Sequence, residues 1–425
     1  MKLICVPSEN ILDITESGDL LVSLYGRNED SNIASAGAAI KEEIVRRKLF
    51  LEARAWDLLS IALSVITADF AVPRDNSPDG WSREIKLYVA VNDANFWSSQ
   101  KSEIEALLRF LTTDPWDINF LEGGLLPTPP RNPAVLPQDS VVLLSGGLDS
   151  LIGAIDLVAG GKAPVAVSQT VRGDGEKQTL FAKKIHRGLE HLQLNHNAKA
   201  PGINERSQRA RSIIFLTYGV LAATSLKRYH EGQVIPLYVC ENGLISINPP
   251  LTADRVGSLS TRTAHPVFLN KFQNLLNTAG LHVQIINPYQ FKIKGEMLKE
   301  CADQVFLRQH AHISTSCGRF AKFKLRHCGR CVPCLIRRAA FNAWGIPDTT
   351  DYVYKDLSIN DSDHMHFDDV RSAVMGNAEA QNVGLERWLA PSLNSFILGD
   401  ITSYQQTVGR GLQELRDFFN AVNAT

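Results

Sequence analysis

Apolar positions along this chain follow two different rhythms. Over residues 36–66 they recur with the three-to-four-residue spacing of a helix, behind the charged Lys41-Glu42-Glu43. Residues 85–91 alternate as a half-buried strand does, and residues 101–111 return to helical spacing. Residues 1–135 therefore predict an accessory α+β domain, with Trp56, Trp81, Trp97 and Trp116 as core or interface anchors. Residues 121–138 hold Gly123-Gly124 and five prolines, Pro127, Pro129, Pro130, Pro133 and Pro137. Such a stretch resists regular structure and marks a domain boundary.

From Val141 the rhythm changes. Residues 141–144, 165–168 and 234–239 are short apolar runs, and a helical pattern opens at residues 213–216 and runs to about Lys227. Unbroken apolar runs suit strands covered on both faces, so the order predicts an α/β domain with a mainly parallel sheet over residues 136–345. Residues 346–425 read as a helical segment, with residues 404–422 as its last helix. Internal repeats and low-complexity tracts are not evident.

At 425 residues the chain can form two or three domains, and 44% hydrophobic with 21% charged residues is the composition of a soluble globular protein. No window approaches the roughly eighteen uninterrupted apolar residues of a membrane span. The start, Met1 to Pro7, is too short and too soon followed by charge to act as a secretory signal, so a cytoplasmic location is expected. A net charge of −1 gives no global reason for a nucleic-acid or membrane partner. One stretch departs from this balance. Residues 304–347 contain no Asp or Glu but hold Arg308, Arg319, Lys322, Lys324, Arg326, Arg330, Arg337 and Arg338. Such a stretch suits contact with RNA phosphates, and charge compensation near anionic groups accounts for it equally well.

The first candidate site is Ser145-Gly146-Gly147-Leu148-Asp149-Ser150, which follows an apolar strand and opens a helix. Leu148, Leu151, Ile152, Ile155 and Val158 give that helix one apolar stripe, and Gly160-Gly161 ends it. Adjacent glycines let backbone N–H groups close around an anion at the helix start. Ser145 and Ser150 add hydroxyls. Asp149 is a poor phosphate ligand by itself, so its expected partner is a Mg²⁺ ion on the phosphate oxygens. A Walker A loop is excluded by the missing Gly-Lys-Ser/Thr ending.

The second candidate site is built from cysteines. Cys328, Cys331 and Cys334 have metal-ligand spacing, and Cys317, eleven residues upstream, is the natural fourth ligand. His327, His310 and His312 are alternatives for that position. Four thiolates suit a closed structural Zn²⁺ site, although an iron–sulfur cluster also accepts four cysteines. Cys240 and Cys301 lack metal-like spacing and read as small buried hydrophobes.

The Ser-Gly-Gly-x-Asp-Ser loop resembles that of the N-type ATP pyrophosphatases, which hold the β,γ-pyrophosphate of ATP there and release it as AMP is placed on a substrate. That loop, followed after about 165 residues by Thr-Ser-Cys and then Cys-Gly-x-Cys-x-x-Cys, resembles the 7-cyano-7-deazaguanine synthase (QueC) family over residues 139–345. The resemblance implies an adenine-nucleotide α-hydrolase-like (HUP, Rossmann-like) domain with a zinc knuckle. It implies ATP and a small deazapurine carboxylate as substrates. Arg211 matches the arginine of the family's Arg-Asn-x-x-Phe helix. Lys294 matches the lysine of its Lys-x-Glu segment near the ATP phosphates, Glu241-Asn242 its polar strand end, and Arg337 the arginine after the last cysteine. The implied catalytic set is Asp149, Lys294 and Arg211.

Two segments depart from the family. Residues 169–175 replace a Tyr-Gly-Gln-x-His stretch, and residues 260–266, with Arg262 and His265, replace Gly-Tyr-Pro-Asp-Cys-Arg. The donor-rich 260–265 stretch suits an anion or nucleobase site as well as it suits a solvated loop. The length and the first 135 residues resemble the QueC-like component, QatC, of the Qat anti-phage defence cassette. That implies a partner protein from the same cassette and an amine acceptor other than ammonia. Two further readings stand beside this one. One is a tRNA-thiolating enzyme using Cys240 or Cys301. The other is a defence scaffold that binds ATP without turning it over.

Overall fold

The computed structural model describes residues 1–13, 19–27, 30–205, 207–252, 262–358 and 369–424. Two five-stranded sheets organise the chain. The first holds β1 (Lys2–Pro7), β2 (Leu20–Leu24), β3 (Ala34–Ala36), β4 (Ile85–Ala90) and β5 (Trp116–Leu121), in the order β3-β2-β1-β4-β5. The second holds β6 (Ser140–Leu143), β7 (Pro164–Gln169), β8 (His191–Leu194), β9 (Ile235–Tyr238) and β10 (Val283–Ile286), in the order β8-β7-β6-β9-β10. Every pairing in both sheets is parallel. The two sheets thus share one strand order, with the first strand in the centre and the chain reversing direction between the third and fourth strands.

The duplication extends to the helices. Ala53–Ala71 connects β3 to β4 and Arg211–Thr224 precedes β9, and these two topologically equivalent helices pack on each other. Both are buried around nearly their whole circumference, and one continuous hydrophobic core joins the two sheets through them. Residues 122–138 form no helix or strand. They run between the two halves, tied by isolated bridges from Ala134 to Leu49 and from Leu136 to Leu226.

The structure corrects the sequence reading of residues 1–135. That part is α/β with a wholly parallel sheet, not α+β. Its central strand is the apolar start of the chain, whose Leu3, Ile4, Cys5 and Val6 are buried and carry no alternation to betray a strand. The helix expected across residues 36–66 is two helices, Ala38–Arg46 and Ala53–Ala71. They are broken where Lys48 takes a left-handed φ of 56°. The carboxy-terminal segment is helical, with Asp369–Val383, Leu385–Leu393 and Ile401–Ala421 packed onto Val332–Trp344 around Leu335, Leu389, Val408 and Leu412. No helix among the described residues is long and apolar enough to cross a membrane.

Candidate active site

β6 is flanked by β7 on one side and β9 on the other, and the chain winds outward from it in both directions. A parallel sheet opens a crevice at such a switch point, beyond the carboxyl ends of the strands. The loop after β6 and the residues after β9 border that crevice. The loop is residues 144–147, and the helix Leu148–Ala159 begins immediately afterwards. Gly146 has φ 87°, a conformation that costs most other residues about 1–2 kcal/mol. Gly147 is glycine for a different reason: a Cβ there would lie 3.1 Å from Ser145 Oγ and 3.2 Å from the Thr315 carbonyl oxygen. The Gly147 N–H donates to Ser145 Oγ at 3.2 Å, and the Ser145 and Ser150 hydroxyls lie 3.0 Å apart.

Asp149 points inward from the first turn of the helix and is buried. Lys294, at the start of the helix Lys294–Glu300, donates to its Oδ1. Asn242 Nδ2 and the Asn242 N–H donate to its Oδ2 at 2.6 and 3.2 Å. Glu241, three residues after β9, completes the group. Burial and the Asp149 carboxylate push the Glu241 carboxyl well above its usual range, so that it keeps its proton and donates to Asp149. Burial also works against the charge on Asp149. Lys294 and the hydrogen bonds from Glu241 and Asn242 outweigh it and hold the Asp149 pKa at about 2. Two carboxyls that share one proton and one ammonium carry no net charge, which is how the cluster tolerates burial.

Above Gly146 lies the segment after β7. A Cβ on Gly146 would meet Asp174 Cβ at 3.4 Å. Thr315 Oγ1 donates to Asp174 Oδ1 at 2.6 Å, and Lys177 Nζ donates to Thr315 Oγ1 at 2.6 Å. Lys177 also stands 4.3 Å over the Phe320 ring, and burial draws its pKa down. Gln178, fully buried, ties the Ser145 carbonyl to that of Gln169. Arg211 is exposed at the first position of its helix and lies within electrostatic reach of Asp174. Asp174 belongs to the 169–175 segment that departs from the family, whereas Lys177 and Gln178 carry no local sequence signal; a cation three residues after Asp174 on a helix does not announce its contact with Thr315.

The cysteines form one buried cluster. The sulfurs of Cys317, Cys328, Cys331 and Cys334 all lie within 4.8 Å of one another, with 3.9 Å between Cys317 and Cys331 and between Cys328 and Cys334. A tetrahedron of thiolates around zinc, with bonds of about 2.3 Å, has edges of about 3.8 Å, so the cluster fits Zn²⁺. Backbone N–H groups of Arg319 and Cys328 point at Cys317 Sγ, each at 3.3 Å, and that of Cys331 at Cys328 Sγ, at 3.2 Å. His310, His312 and His327 lie outside the cluster. The knuckle is joined to the glycine loop: the Thr315 N–H donates to the Gly146 carbonyl at 2.9 Å, two residues before Cys317.

Other candidates are turned inward. Arg337 is fully buried and donates to Ser314, Ser316, Ala311 and Thr350, fixing the segment that carries Thr315. Arg330 and Arg338 donate to backbone carbonyls and Arg326 pairs with Asp351. Much of the acid-free stretch is thus spent on its own backbone. His265 caps the helix Pro266–Thr278 by accepting from the Val267 N–H, and burial draws its pKa to about 4. Arg262 lies 4.4 Å from the Phe110 ring and donates to the Phe110 carbonyl. Ser260 and Thr261, with Arg206, fall outside the described residues.

Comparison with known proteins places this architecture. Residues 263–345, which include Lys294 and all four cysteines, match the family model of the queuosine biosynthesis protein QueC. Over these residues the chain is similar to QueC. A 7-cyano-7-deazaguanine synthase of Acetivibrio thermocellus is 27% identical over 241 residues, half of this chain and 97% of the relative. Two others match over shorter stretches. The 7-cyano-7-deazaguanine synthase 1 of Mesorhizobium japonicum is 33% identical over 90 residues, and the enzyme of Methanococcus aeolicus 33% over 93. Each covers 20% of this chain, which in turn spans only 36% and 38% of those two relatives.

Proposed function

We propose that this protein is an ATP-dependent synthase that adenylates 7-carboxy-7-deazaguanine or a related carboxylate and transfers the acyl group to a nitrogen nucleophile. The observation that carries this reading is the Lys294–Asp149 pair at the switch point, beside a glycine loop that leads into a helix N-terminus, where backbone N–H groups favour an anion. In this reading the loop holds the β,γ-pyrophosphate, with Ser145, Gly146, Gly147, Leu148, Asp149 and Ser150 as the binding residues. Asp149 would hold Mg²⁺, which would supply charge neutralisation on the phosphates. Lys294, which holds Asp149 here, would supply a positive charge to the phosphate oxygens. Arg211 meets the charge at the exposed side.

The chemistry balances. A carboxylate oxygen attacks the α-phosphorus of ATP, the α–β bridging bond breaks, and pyrophosphate leaves. An amine nitrogen then attacks the acyl carbon, AMP leaves, and a proton is lost from nitrogen. This chain's contribution is charge placed where the leaving pyrophosphate develops it, worth about 10²–10³ in rate for a single such donor.

The relatives' names, 7-cyano-7-deazaguanine synthase, support a deazapurine acid as substrate. The first 135 residues and the length, which resemble the Qat component, support a place in anti-phage defence and an amine on a macromolecule as acceptor. A thiolating mechanism is less well supported. Cys240 and Cys301 are buried, and burial together with nearby carboxylates raises both thiols, Cys301 to about 12, so neither offers a thiolate nucleophile. Carboxylate-dependent exchange of labelled pyrophosphate into ATP tests the reading. Exchange that needs the acid supports it, and its absence with a range of acids contradicts it.

A further inference from the structure

We infer that Glu414, on the carboxy-terminal helix Ile401–Ala421, is a positioning residue that fixes the turn presenting Lys294 to the phosphate loop. The inference rests on the proposed nucleotide site and extends it to a part of the chain outside the matched family segment.

Glu414 is buried, and its carboxyl group lies against the Gly295 backbone, one residue after Lys294. The approach is so close that a Cβ at Gly295 would lie 1.8 Å from Glu414 Oε2 and 3.2 Å from Ala343 Cβ. Position 295 must therefore be glycine because another helix occupies the space, not because the backbone is unusual there. The same helix grips the turn from its exposed side. Arg410 pairs with Glu296 at 2.7 Å and donates to the Phe291 carbonyl at 2.7 Å. Glu296 in turn accepts from the Ile293 N–H at 3.0 Å. The residues before and after Lys294 are thus both fastened to Ile401–Ala421, and only the lysine side chain is left to choose between Asp149 and a phosphate. A long buried side chain loses that choice's precision when its backbone is free to shift, because misplacement by an ångström is costly to catalysis.

Burial raises the Glu414 carboxyl to about 7, with Glu296 adding to the rise and Lys299 and Lys294 opposing it. An acid kept in so unfavourable a place for its charge is consistent with a role beyond packing.

The test is a double-mutant cycle on the full chain, reading affinity for the Mg²⁺ complex of α,β-methylene-ATP by calorimetry. Lys294→Ala and Glu414→Ala are each expected to weaken binding by about tenfold, and the double variant to bind no worse than Lys294→Ala alone. Glu414→Gln, which keeps a side chain of the same shape against the Gly295 backbone, is expected to restore affinity to within about threefold of wild type. Equal losses in both backgrounds, or wild-type affinity in Glu414→Ala, overturn the inference. If Glu414→Ala does not fold, Arg410→Ala replaces it in the same cycle, with a loss of about threefold expected only when Lys294 is present. A wild-type chain that does not bind the nucleotide at all removes the nucleotide reading itself, and this inference with it.

Discussion

Lys294 and Asp149, 145 positions apart, meet as a buried ion pair at the mouth of the glycine loop, with Asn242 on the second carboxylate oxygen. The pair therefore joins three elements, the start of the loop helix, the segment after β9 and the Lys294–Glu300 helix, at the point where the sheet's winding reverses.

Asp149→Asn is expected to abolish AMP formation, by about 10²-fold or more, while the asparagine keeps contact with Lys294 and the protein melts near the wild-type temperature. Asp149→Ala is a harsher change than a loop position suggests. It leaves Lys294 buried without a partner, at a cost of about 3–5 kcal/mol, and a clear drop in thermal midpoint is expected. Thermal unfolding and a nucleotide assay on both variants separate the two effects.

A second prediction concerns residues 1–135. Asp69, fully buried, accepts from the Ala210 N–H at 2.8 Å and from Arg83 at 2.6 Å. Arg83 and Arg74 both donate to Asp114. Ala210 is the residue before Arg211, and its helix has no side-chain cap of its own. The first unit thus supplies that cap. Asp69→Ala leaves Arg83 with one fewer carboxylate and the helix end unsatisfied, so a loss of about 3–5 kcal/mol by denaturant unfolding is expected. A change below about 1 kcal/mol would show that the network is not coupled to folding.

Metal removal is the third. One zinc per chain is expected by elemental analysis, and Cys317→Ser or Cys331→Ser should lower it. Because Thr315 holds the Gly146 carbonyl two residues from Cys317, loss of the metal should also weaken nucleotide binding without touching the loop sequence. Zinc-free protein with unchanged nucleotide affinity contradicts the coupling. Iron with a visible absorption band would assign a cluster in place of zinc.

A fourth prediction follows from Glu414. Its pKa of about 7 in the fold lies above that of an exposed glutamate, about 4.3, so the folded state holds the proton more tightly. Its contribution to stability is full below about pH 4.3 and is lost as pH rises through about 7, the loss by then amounting to on the order of 3 kcal/mol. Glu414→Gln should therefore match wild type near pH 4 and be the more stable protein at pH 8. Equal stability at both pH values would place the carboxyl in solvent.

What could be read from the sequence was local. The glycine loop announces itself because strand, tight turn and helix are contiguous, and the cysteines because a knuckle's ligands lie within a few residues of one another. Lys294 and Arg211 entered only through the family resemblance. Glu241 as proton donor to Asp149, Lys177 on Thr315, and Glu414 behind Gly295 depend on segments brought together by the sheet's winding. No spacing in the chain encodes those contacts. The same limit hid the duplication. The two units share a strand order but not a visible sequence repeat, and β1 at the chain start offered an unbroken apolar run without the alternation that marks a half-buried strand.

The most direct test of the account is mass spectrometry of the products after the full chain is incubated with ATP, Mg²⁺ and 7-carboxy-7-deazaguanine, with and without ammonia. The account predicts AMP and pyrophosphate, with the acid recovered as an adenylate, an amide or nitrile, or an adduct on a macromolecular amine. ATP left intact, or cleaved only to ADP and phosphate, would contradict it.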